Sequence, residues 1–246
     1  MKVRFSLWWI LFFLLSLYTH QIRTYLVIFL MLFIHEMGHI LCAYHFGYGV
    51  SSVMIYPFGC GAVIENIDHG SIIEEMIIVA CGLGMHLLYP FIFLFALSLD
   101  LISPVFYEYL IQVNKAILLF NILPIFPLDG GRLLDCFFQR FFHYSKARLC
   151  TMVMSFIVLA LVAYMRLMSG YTGLMVIVFL TFSLIIFIKE AHYDHLSFFW
   201  YRYTHPLSKP YKVQTHQDLY RHATSIFLLN GNIIDEHEWL SRKFRD

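Results

Sequence analysis

The chain has 246 residues, of which 60% are apolar and only 13% charged, whereas a soluble domain carries roughly 25% charged residues. Much of it therefore needs a solvent other than water, and the formal net charge of +1 excludes the broad basic field of a nucleic-acid-binding protein. The five cysteines (Cys42, Cys60, Cys81, Cys136, Cys150) are odd in number and form no CxxC pair, so they read as small buried hydrophobes.

Lys2 and Arg4 precede an apolar run at 5–19 that lacks a small-residue cleavage site, which predicts an uncleaved first span. A second span is predicted over 25–45. Residues 46–71 contain no lysine or arginine. Within them 53–64 is apolar, too short to cross, and Gly-rich at its centre, which predicts a re-entrant β-hairpin. Further spans are predicted over 72–97, 105–126, 150–168 and 171–188. Residues 193–246 are polar and mixed in charge and form a tail outside the lipid.

The expected fold is thus an all-α polytopic bundle of about six transmembrane helices (1–192) with a re-entrant hairpin and a small cytoplasmic α/β-like tail. Basic residues cluster before span one, between spans four and five (Arg132, Arg140, Lys146, Arg148) and after span six (Arg202, Lys209, Lys212). The positive-inside rule then places both termini in the cytoplasm.

The chemistry lies in span two, which reads His35-Glu36-Met37-Gly38-His39. Histidines at i and i+4 emerge on one helix face and can grip one metal ion, with Glu36 beside them as a general base. Ionisable groups inside an apolar helix are costly and functional by default. Catalytic zinc takes three protein ligands and a water. The leading third candidate is Asp129, in Asn121-Ile122-Leu123-Pro124-Ile125-Phe126-Pro127-Leu128-Asp129-Gly130-Gly131, where the prolines break a helix and the glycines allow a tight turn. Spans two and four run the same way through the membrane, so Asp129 and His39 fall at compatible depths. Glu65, Asp68 and Glu75 are the alternatives. A metal transporter would show ionisable residues along a path, but spans five and six are nearly bare before Lys189-Glu190. A silent scaffold would tolerate loss of Glu36, which is present.

HExxH in one span and NxxPxxPxDGG in a later one resemble the site-2 protease family of intramembrane zinc metalloproteases, in its sporulation branch that processes pro-sigma-K. The likeness extends over about residues 1–200, with Pro57-Phe58-Gly59 after span two and Gly82-Leu83-Gly84-Met85-His86 in span three. Leu83 stands where many relatives have proline. The resemblance implies one zinc ion held by His35, His39 and Asp129, with Glu36 catalytic and Asn121 close to the reacting carbonyl. The partners it implies are the bilayer, a membrane-associated sigma-factor precursor and membrane-protein inhibitors, on the mother-cell side in a spore former. A nucleotide-sensing cystathionine-β-synthase-type domain occupies the tail position in that branch, which makes ATP a candidate ligand here and a plain docking tail its alternative. The hairpin is expected to hold extended substrate by strand addition, with Phe58, Gly59, Val63 and Pro127 as substrate-binding residues.

Overall fold

The computed structural model describes residues 2–5, 14, 17–18, 20, 22–56, 59–165, 170–206, 211–214, 218–229 and 232–244. The chain forms two compact units: Met1–Ile67 with Ile77–Ile122, and Asp68–Met76 with Leu123–Asp246. Among the described residues four stretches are helical, long and apolar enough to cross a membrane: Ile22–His45, Ile72–Ser98, Tyr144–Tyr164 and Val176–Thr204. These correspond to predicted spans two, three, five and six. Predicted span one lies almost wholly outside the described residues.

In the first unit, helix α1 (Ile22–His45) leads to strands β2 (Val50–Tyr56) and β3 (Gly59–Ile64). Strand β1 (Lys2–Phe5) pairs in parallel with β2, and β3 pairs with β2 antiparallel, so β3 is an edge. Two helices, α2 (Ile72–Met85) and α3 (Tyr89–Ser98), follow; α2 begins in the second unit and enters the first at Ile77. Helix α4 (Pro104–Ile122) falls where the fourth span is expected but is not among the four membrane-crossing candidates, and it carries Glu108 and Lys115.

Helix α1 is apolar outside and polar inside. Leu26, Leu30, Phe33, Leu41 and Tyr44 are exposed at helical spacing, while His35, Gly38 and His39 are buried. That reversal suits a lipid surround, where the exposed stripe meets acyl chains. Beneath it Met31, Tyr89, Phe93 and Leu110 form one core cluster, tied by a Tyr89 hydroxyl donating to the Met31 carbonyl at 2.5 Å. Ile40, Ala43, Val50, Val53, Ile64, Ile67 and Ile78 form another, which seats the sheet on α1.

The second unit contains α5 (Asp129–Phe141), α6 (Tyr144–Tyr164), α7 (Gly170–Thr204) and the tail. The tail is a three-stranded sheet, β4 (Tyr211–Gln214) parallel to β5 (Thr224–Leu229) and β5 antiparallel to β6 (Asn232–Asp235), closed by α8 (Glu236–Lys243). Helix α7 does not stop near 188 or at the expected 192/193 boundary. It runs on to Thr204, and Phe198 and Phe199, both 0% exposed, share a core with Phe227, Trp239 and Leu240 of the tail. Buried Arg202 donates to both Glu236 carboxylate oxygens, at 2.8 and 2.9 Å, and to the carbonyls of Arg221 and Ala223. A buried ion pair is tolerable only when so fully satisfied.

Candidate metal centre

His35 and His39 meet α2 through its backbone. Nδ1 of His35 lies 2.9 Å from the Gly82 carbonyl, and Nδ1 of His39 lies 2.9 Å from the Ile78 carbonyl. A carbonyl only accepts, so each Nδ1 carries a proton, and Nε2 is the ligand atom that each ring would offer a metal. The two Nε2 atoms are 3.2 Å apart, and both residues are buried. Nitrogens this close share either a proton or a metal ion. Two ligands about 2.05 Å from a tetrahedral zinc would be separated by roughly 3.3 Å, so the pair fits that ion. The Nδ1–H to carbonyl bond is the usual device that fixes a metal-binding imidazole's tautomer.

Small residues let the helices come this close. A β-carbon on Gly82 would lie 2.1 Å from the His39 ring, and one on Gly38 would lie 2.9 Å from Met85 Cγ and 3.0 Å from the Cys81 carbonyl. Glu36 completes the cluster: its carboxylate and the two imidazoles offer ligand atoms all within 4.8 Å of one another. The backbone N–H of Ala62 in β3 donates to Glu36 Oε1 at 2.7 Å, tying the carboxylate to the hairpin. This contact, between residues 26 apart in the chain, had no signature in the sequence.

His86 belongs to the same cluster. Its ring centroid is 5.1 Å from that of His35, and it is 1% exposed. Asn114 of α4 donates through Nδ2 to the His86 carbonyl at 3.0 Å, which fixes its amide and turns Oδ1 toward His86 Nδ1 at 2.7 Å. Nδ1 therefore carries the proton here as well, and His86 packs beside His35 in one set orientation. Asn114 had only its place in an apolar run to mark it.

The other expected site residues are distributed as follows. Asn121 is on α4, seven residues beyond Asn114 and so on nearly the same stripe, two turns on. Asp129 is in the second unit, 8% exposed. It opens α5, so Gly130-Gly131 form that helix's first turn and not the expected free turn. The tight segment lies just ahead and includes a cis Phe126–Pro127 bond. Its backbone passes so near Gly131 that a β-carbon there would lie 2.4 Å from Phe126 N. Pro127 is exposed in that segment. An acid in a helix's first turn is favoured by the helix dipole. Asp68 and Glu75, alternatives for the third ligand, are engaged by arginines: Asp68 by Arg132 and Arg148, Glu75 by Arg221 at 2.5 Å.

Phe58 lies outside the described residues, and Gly59 begins β3. Because Ala62 turns its N–H away from β2 to Glu36, ladder alternation turns the main-chain groups of Val63 toward β2. The Ser51 hydroxyl, donating from β2 to the Val63 carbonyl at 3.2 Å, agrees. Val63 therefore presents its side chain, 56% exposed, and not its main-chain N–H, on the outer edge.

Comparison with known proteins gives a consistent pattern. Residues 99–164 match Peptidase family M50. The chain is 29% identical over 192 residues to stage IV sporulation protein FB of Bacillus subtilis, covering 77% of this chain and 67% of that one. It is 27% identical over 135 residues to a zinc metalloprotease of Methanocaldococcus jannaschii, covering 49% and 37% respectively. Among solved structures it resembles the site-2 protease from Methanocaldococcus jannaschii, with a TM-score of 0.56 and 20% identity over 74% of this chain and 88% of that one.

Proposed function

We propose that the chain, which is similar to peptidase family M50 over residues 99–164 and has the fold of a site-2 protease, is a membrane metalloprotease that cuts a membrane-associated protein at the His35–Glu36–His39 cluster. The observation that carries this reading is the pair of imidazole Nε2 atoms 3.2 Å apart beside a carboxylate, inside an apolar helix. One zinc ion, held by His35, His39 and Asp129, would supply a Lewis acid that makes a water acidic near neutral pH.

The protein's own groups do the rest. The Ala62 N–H occupies Oε1 of Glu36, so Oε2 takes the proton from the attacking water and later returns it to the leaving amine. Asn121 donates from its amide to the developing oxyanion. A substrate helix hides its carbonyls, so the cut segment must be extended. Edge strand β3 is the element suited to hold it, through the outward main-chain groups other than the Ala62 N–H that Glu36 holds, and Phe58, Gly59, Val63 and Pro127 are assigned to substrate binding.

Similarity to a sporulation protein supports a substrate of the pro-sigma-K type, a sigma-factor precursor tethered to the membrane. The basic residues support cytoplasmic termini, on the mother-cell side in a spore former. The residues that follow α7 serve as a docking tail. Co-expression with a pro-sigma-K substrate, beside a Glu36→Gln control, tests the proposal by a size shift on a gel. A shortened product with the wild type alone is expected. An uncut substrate, or cutting by the control, overturns it.

A further inference from the structure

Cys42 of α1 and Cys81 of α2 are both half-buried, and their Sγ atoms are 2.9 Å apart. A disulfide requires about 2.05 Å, so less than an ångström of side-chain movement would join them. Their meeting follows from the close approach described above. Gly38 lies one turn before Cys42, and its missing β-carbon lets the Cys81 carbonyl approach; Gly82 directly follows Cys81 and makes room for His39. Among the described residues this is the one close pair of thiols, and the proposed hydrolysis uses neither.

We propose that Cys42 and Cys81 form a modification site: a reversible disulfide that clamps α1 to α2 beside His39. The oxidant is a hydroperoxide, a small molecule able to reach an apolar helix pair. One thiol attacks the terminal peroxide oxygen; the O–O bond breaks, and a sulfenic acid and water (or an alcohol) result. The second thiol attacks the sulfenic sulfur, the S–S bond forms, and water leaves with the hydroxyl and the thiol proton. Two electrons pass in total from the sulfurs to the peroxide. A dithiol restores both thiols by exchange.

The clamp acts on the metal centre through geometry. Cys42 is three residues past His39, and Cys81 is three residues past Ile78, whose carbonyl holds His39 Nδ1. The cross-link therefore joins the two helical turns adjoining that hydrogen bond, and the oxidised protein should release its zinc to a chelator more slowly than the reduced one. A change of about tenfold is expected, the scale on which outer partners of a metal site act.

The full chain in detergent micelles, treated with hydrogen peroxide, alkylated and digested, should yield a Cys42–Cys81 linked peptide that dithiothreitol removes. Cys42→Ser and Cys81→Ser should each abolish it. Two alkylated thiols after peroxide, or a sulfinic acid at either position in place of the link, overturn the proposal. Release of zinc at equal rates from oxidised and reduced protein, with the link present, overturns the clamp. The linked peptide is read without any substrate, so its failure is distinguishable from failure of the protease reading.

Discussion

Gly82 leaves the space that the imidazole of His39 fills: a β-carbon added there would lie 2.1 Å from His39 Nε2. Gly82→Ala should therefore push His39 off the Ile78 carbonyl and strip most of the bound zinc. Gly84→Ala, two residues on and with nothing within 4 Å of its added carbon, should leave zinc content unchanged. Metal analysis of the purified variants separates the two. Equal zinc in both would mean that the glycine does not make room for the ligand.

Glu36→Gln should keep zinc and lose cleavage. Its amide oxygen still accepts the Ala62 N–H, so the junction with β3 survives while the base is gone. Turnover at the wild-type rate would remove Glu36 from the mechanism.

Asp129→Ala should lose cleavage and most of its metal, because two histidines leave a catalytic zinc one protein ligand short. Asp68 and Glu75 already face arginines and are poor replacements. Full zinc occupancy in the variant would show that the third ligand lies elsewhere.

Asn114→Leu removes the amide that orients His86 against His35. A drop of roughly tenfold in zinc affinity is expected, with the fold kept. Asn114→Gln would recover part of it if orientation is what matters. Chelator competition measures both variants, and unchanged affinity in Asn114→Leu would assign the pair to packing alone.

His69 sets an acid limit on the second unit. Burial, opposed by Asp68 and reinforced by Arg221 and Arg148, pulls its pKa from 6.5 down to about 4. Between those values the unfolded chain binds more protons than the folded one, so stability rises with pH across the window and is lost as pH falls from 6.5 through 4. About 2 kcal/mol is involved after allowance for partial exposure. His69→Phe should flatten that slope in thermal melts, and an unaltered slope would place its origin in another group.

Local chemistry was legible in the residues. The spacing of His35 and His39 fixes a shared helix face whatever surrounds it, and the apolar runs located the helices now seen at Ile22–His45, Ile72–Ser98 and Tyr144–Tyr164. Longer-range relations were not. The hydrogen bond from Ala62 to Glu36, the His86–Asn114 pair and the meeting of Cys42 with Cys81 depend on the register of one element against another, which no single segment encodes. The end of α7 was not legible for a different reason. Hydropathy falls at Lys189-Glu190, but a helix can leave lipid without ending, and this one continues into a protein core.

At 1.5 Å per residue, the 35 residues of α7 measure roughly 52 Å, against about 30 Å of hydrocarbon. The helix is a mast longer than the hydrocarbon is thick, and the tail is rigged to its C-terminal end through Phe198, Phe199 and Arg202. The tail is therefore no detachable pendant. A fragment starting after Thr204 would leave two phenylalanines and the partner of Glu236 behind, and would lack part of its own interior. A load applied to the tail, by whatever docks there, would be borne along a continuous helix into the membrane with no slack between.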